Sequence, residues 1–213
     1  MLGNQISASF EYVTKVGQEV DNLSTLVTDE INRLLSEPDL AKLFASEHWS
    51  NDTRNSDNQW VSTDVIYDIP LIIKPKRSAS MYLGFQISLT GDGIETGGNR
   101  LPLIHVFCWA YGPAEIPGCA MIFPLEPGEQ FLDSGSLFVF EDRPGAPRSW
   151  AYSVELAQVN TLDDVARLIL QPMRKLLLGA GALEAFKGDL KGLVCYQEIA
   201  DQPGYYTVNI LEH

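Results

Sequence analysis

Apolar residues recur every seven positions near the start of the chain, at Ile6, Val13, Val20, Val27 and Leu34, and Phe10, Val16, Leu23 and Ile31 fill the adjoining positions. One such stripe predicts an amphipathic helix over residues 5–36, about 45 Å long at 1.5 Å per residue. Gly17 and Ser24 sit beside the stripe, also seven apart, where small side chains admit a second backbone. Pro38 ends the helix. Ser36 and Asp39 form a capping-box-like start for a second, shorter helix running to about Ser46. Residues 47–59 (EHWSNDTRNSDNQ) are dominated by polar turn formers and read as a loop.

From Trp60 the period changes to two. Val61, Thr63, Val65, Tyr67, Ile69, Leu71 and Ile73 alternate with Ser62, Asp64 and Asp68, which predicts a long strand with one core face and one wet face. Pro70 cannot donate a ladder hydrogen bond and marks an edge or a bulge. Met81, Leu83, Phe85, Ile87 and Leu89 define a second strand. The short Lys74–Ser80 link favours antiparallel pairing. Residues 101–111 are apolar on both faces, as in a central strand covered on both sides. Shorter strands are expected near 119–123 and 136–141, and another carries Trp150, Tyr152, Val154 and Leu156.

Thr161 and Asp164 cap a further helix whose apolar positions are Val165, Leu168, Ile169, Met173, Leu176 and Leu177. Pro172 should kink or restart it, and Gly179 and Gly181 should end it. A short helix follows around 182–187, and a hairpin of 193–199 with 205–210 closes the fold. There is no βαβ alternation and no internal repeat. The expected class is α+β: one large, mainly antiparallel sheet over 60–158, helices on one of its faces, a long N-terminal helix, and a C-terminal helix plus hairpin. Residues 1–210 are read as one domain. Leu211-Glu212-His213 resembles the beginning of a vector-encoded Leu-Glu-polyhistidine tag and is set aside.

The chain has 213 residues and a formal charge of -13. Residues 1–68 hold 12 acidic and 4 basic side chains, a net of -8, so the acidity sits at the helical end. This argues against nucleic-acid binding through a general basic face. No stretch approaches a membrane span, and no secretory signal is expected in an opening that carries Glu11, Glu19, Asp21, Asp29 and Glu30. Cys108, Cys119 and Cys195 lack zinc-site spacing and read as reduced thiols of a cytoplasmic protein.

Candidate chemistry is sparse. His105, in line with Leu103 and Phe107, is either a base or ligand on a pocket floor or a buried neutral histidine. His48 lies in the polar loop. The glycine-rich segment 91–99 offers Asp92, Glu95 and Asn99 as oxygen ligands, but it matches neither an EF-hand nor a phosphate-binding loop, and a flexible connection is the plainer reading. Lys74, Lys76 and Arg77 form one cationic turn, while Arg143 and Arg148 flank another. Together they would bind an anion or an acidic partner if they met at one end of the sheet; alone they discourage edge pairing. No nucleophile elbow, metal cluster or cofactor motif is present, so neither cofactor nor metal is expected. The leading expectation is a cytoplasmic, non-enzymatic interaction protein of acidic adaptor, immunity or inhibitor type, with a basic protein partner and a homodimer formed through the N-terminal helix. The alternative is a small-molecule binder or enzyme with a pocket near His105 and the 91–99 loop.

Overall fold

A computed structural model of the chain describes residues 2–91, 101–111, 121–123, 125, 130–140, 148–188 and 190–210. The N-terminal helix α1 (Leu2–Leu35) is followed by α2 (Pro38–Leu43) and two short strands, β1 (Phe44–Ser46) and β2 (Ser50–Asn55). The long strand β3 (Ser62–Ile73) leads into β4 (Met81–Ser88), β5 (Leu103–Trp109), β6 (Gln130–Asp133), β7 (Leu137–Phe140) and β8 (Ser149–Glu155). These eight strands form one antiparallel sheet in the order β1-β3-β4-β5-β8-β7-β6, with β2 also on β3. The fold is α+β, as the alternation of patterns predicts.

The sheet's two faces have different covers. One carries Ile69, Leu71, Leu83, Phe85, Val106 and Tyr152 and packs under the helices. These are the C-terminal half of α1, α2, and a run from α3 (Leu162–Val165) through a wide π turn (Ala166–Leu170) into α4 (Gln171–Leu177) and α5 (Ala182–Ala185). Thr161 and Asp164 form the capping box that starts α3, and Pro172 lies in the first turn of α4, where it has no N–H to donate. The π turn leaves carbonyls open, and the buried Tyr152 hydroxyl donates to Ile169 O at 2.9 Å and to Leu168 O at 3.3 Å. The second face carries Ile66, Leu103, Phe107 and Phe138. Residues 121–123 cover it together with the terminal hairpin of β9 (Val194–Glu198) and β10 (Tyr206–Ile210).

Several sequence expectations are corrected. Asp64 and Asp68 do share the even face of β3, but that face is buried, because the hairpin and the 121–123 segment lie over it. The 47–59 loop contains β2, a polar strand held by backbone pairing to β3 rather than by any apolar pattern. The second helix stops at Leu43 and its last expected turn is β1. Ser36 does not cap it: its hydroxyl donates back to Asn32 O at 2.8 Å, and Glu37 occupies the N-cap. Residues 121–123 are irregular rather than a strand, and the strand expected at 136–141 is β7, paired with an unforeseen β6. Pro70 sits between the segment paired with β1 (71–73) and that paired with β2 (62–68), where a missing N–H costs no ladder bond.

Candidate functional site

His105 lies at the centre of β5, opposite Gln86 on β4 and Ser153 on β8. Its Nδ1 is 2.7 Å from Ser153 Oγ, which also accepts a 2.7 Å hydrogen bond from the Tyr196 hydroxyl. Ser153 Oγ thus bridges the Tyr196 hydroxyl and the imidazole. Burial pushes the Tyr196 hydroxyl far above its ordinary range, so it remains a protonated donor. Phe123 stacks on the imidazole, with ring centroids 3.9 Å apart and planes within 10°.

Gln86 locks that cover in place. Its Oε1 accepts from the amides of Ile122 and Phe123, both at 3.0 Å, and its Nε2 donates to Phe123 O at 2.9 Å. The amide side chain thus stands in for a neighbouring strand. The polar layer continues through Ser88 to Asp64, whose Oδ1 accepts from Ser88 Oγ at 2.6 Å. His105, Gln86, Ser88 and Asp64 are all fully enclosed. The layer links strands and cover, and solvent does not reach the imidazole. Of the other candidates expected near His105, Asp92, Glu95 and Asn99 fall outside the described residues.

Sheet register brings the two cationic turns to the same end. Lys74, Lys76 and Arg77 follow the last residue of β3, and Arg148 precedes the first residue of β8. The two strands are three spacings apart, roughly 14 Å, so Lys74 and Arg148 lie at one end of the sheet. Lys74 Nζ donates to Ala41 O, Lys76 and Arg77 are exposed, and Arg148 rests over the Phe131 ring at 5.7 Å. Arg143 lies outside the described residues. His48 is exposed in the link between β1 and β2.

The apolar stripe of α1 departs from a closed surface. Its C-terminal half is sealed against the sheet: Val20 is 7% exposed, and Val27 and Ile31 are 0%. The same stripe then runs on past the sheet into solvent, with Ile6 53%, Phe10 57% and Val13 40% exposed. Tyr12 and Trp60 are exposed beside it, and Phe10 and Trp60 approach to 6.4 Å. At 34 residues the helix is about 51 Å long, which exceeds the diameter of a compact fold of this size. Where the stripe leaves the sheet, a cleft of about 580 Å³ opens between α1 and residues 156–165, lined by Val16, Val20, Leu23, Leu156, Val159 and Leu162. Sequence periodicity located the stripe; exposed Tyr12 and Trp60 and the cleft wall at 156–165 carried no such signal.

Among the described residues no group of three or more His, Cys, Asp or Glu side chains converges as a metal site requires, and no helix is long and apolar enough to cross a membrane. The chain matches no known family model, no curated protein and no solved structure.

Proposed function

We propose that this chain is a non-enzymatic interaction protein, an acidic adaptor, immunity or inhibitor type acting in the cytoplasm, that assembles as a homodimer through α1. The observation carrying this reading is the unbroken apolar stripe that continues from the core into solvent through Val13, Phe10 and Ile6. A projecting helix of about fourteen residues is marginal on its own and gains stability when its apolar face is covered.

A second copy supplies a matching surface. In an antiparallel pair centred between Thr14 and Lys15, Val13 falls opposite Val16 and Ile6 opposite Leu23, with Phe10 one position from Val20. The overhang of each copy then lies along the cleft of the other, a self-complementary two-fold contact. Charge favours this part of the helix for self-association. Residues 2–18 carry only Glu11 and Lys15, paired with each other at 2.9 Å, in a chain of net charge -13. The exposed acids Asp21, Asp29, Glu47, Asp52 and Asp57 lie outside the overhang and are suited to a basic partner.

Sedimentation at micromolar concentration tests the assembly. The expected mass is about 47 kDa, twice the chain's 23.6 kDa. Phe10→Glu, at an exposed position, should yield folded monomer with an unchanged circular dichroism spectrum. A wild-type monomer with no concentration dependence would overturn the reading.

A further inference from the structure

A second cleft, of about 260 Å³, lies at the opposite end of the helical face. Its floor is made by residues near the ends of β3, β4, β5 and β8, and its wall by the end of α4. Met81, Cys108, Leu137, Trp150 and Leu176 give it an apolar interior, and Arg148 is the one charged side chain among the described residues that lines it. We propose that this cleft binds a small amphipathic monocarboxylate, with the hydrocarbon tail inside and the carboxylate on Arg148.

Three observations support this ligand chemistry. The first is size: an apolar cavity of about 150 Å³ holds benzene, so this volume accommodates about ten non-hydrogen atoms, the size of octanoate. The second is the state of Arg148. Its ion pair among the described residues is with Asp133, and at 3.9 Å it is longer than a hydrogen bond. Asp133 has other donors, Ser134 Oγ at 3.0 Å and the Ala182 amide at 3.4 Å, so it does not depend on the guanidinium. Arg148 is about half exposed and lies over Phe131, which leaves its fork of donors able to turn to an incoming carboxylate. The third is location. Lys76 and Arg77 project at this same end of an otherwise acidic chain, so an anion arrives against a locally favourable field. Neutral hydrocarbons would fill the interior equally well but would leave the guanidinium unused.

Calorimetric titration of the whole protein with octanoate, octanol and acetate tests the proposal, in the wild type, Arg148→Gln and Ala180→Phe. Ala180 lines the cleft, and a phenyl group there would fill it. Octanoate should bind the wild type, octanol should bind at least tenfold more weakly, and acetate should give no heat. Arg148→Gln should reduce octanoate affinity at least tenfold while leaving octanol within twofold, and Ala180→Phe should abolish both. Absence of octanoate binding at millimolar concentration, equal affinity for octanol, or indifference to both substitutions would each overturn the site. Because this cleft and the α1 overhang lie at opposite ends, the Phe10→Glu monomer should bind octanoate like the wild type, so the two proposals fail separately.

Discussion

Arg54 and Asp64 face each other across the β2–β3 pair, and two guanidinium nitrogens, Nε at 2.8 Å and Nη2 at 2.7 Å, close on the single carboxylate oxygen Oδ2. The other oxygen takes the Ser88 hydroxyl from the strand on the opposite side. A fully buried carboxylate is thus satisfied by both of its cross-strand neighbours, and the exposed polar strand β2 owes part of its attachment to one arginine.

Removing that arginine leaves an uncompensated buried charge. Breaking a buried pair costs about 3–5 kcal/mol, but Arg54 is about a third exposed and water screens the interaction, so Arg54→Ala should cost about 2–3 kcal/mol. Asp64→Asn should cost less, because the amide oxygen still accepts from Ser88 and Arg54 can turn toward solvent. Urea unfolding of both variants checks the order. A loss below about 0.5 kcal/mol for Arg54→Ala would place the pair with ordinary surface ion pairs.

Gly84 stands between Asp68 and Phe107 in the middle of the sheet, and the Phe107 ring crosses it. A Cβ there would lie 2.1 Å from Tyr67 O and 2.8 Å from Phe107 Cζ. The backbone oxygen cannot move without disturbing two strand pairs, so Gly84→Ala should destabilise by at least about 3 kcal/mol, at the upper end of overpacking costs. Thermal unfolding provides the measurement; a neutral result would mean that β3 and β4 separate easily at this point.

The sequence shows the parity of each strand but not what covers it. Alternation correctly puts Asp64 and Asp68 opposite Val65, Ile69 and Leu71, yet the cover that buries the aspartates comes from residues 121–123 and from β9 and β10, distant in sequence. Gln86 reads as an ordinary polar position on β4; only the fold reveals that it hydrogen-bonds the 121–123 backbone. The strand β2 was hidden because backbone groups, not side chains, make its bonds. Long periodic elements were legible: α1, β3, β4, β5, β8 and the capped α3. Of the candidate cations, register could place Lys74 and Arg148 at one end only once the strand order was known.

Asp164 provides a pH-dependent marker of the α3 cap. The Arg167 guanidinium, followed by the Thr161 hydroxyl, lowers its carboxyl from the ordinary value to about 2. A depressed folded value means that the stabilisation from this group is fully present above about 4 and is lost as pH falls from there toward about 2. Carboxyl NMR titration should place the Asp164 midpoint near 2, and Arg167→Ala should move it up more than Thr161→Ala. A midpoint near 4 in the wild type would show that the capping box is not formed in solution.

The overhang of α1 should be stable only when covered. In an isolated chain, residues 3–15 are exposed, with Phe10 lying near Trp60, so their amides depend mainly on helix propensity and should exchange rapidly. In the two-fold pair the same amides lie in a covered helix. Exchange protection over residues 6–15 should therefore rise with protein concentration, while protection over 28–34, which packs on its own sheet beyond the paired segment, should not change. Ile6→Glu, at a half-exposed site, should remove the concentration dependence without affecting the rest of the protein. Val20→Glu should behave differently: it puts a charge at a position only 7% exposed, and it should lower the thermal midpoint of the whole fold as well as dissociating the pair. Protection of residues 6–15 that stays constant from micromolar to submillimolar concentration would mean that the projecting stripe is not buried by a second copy.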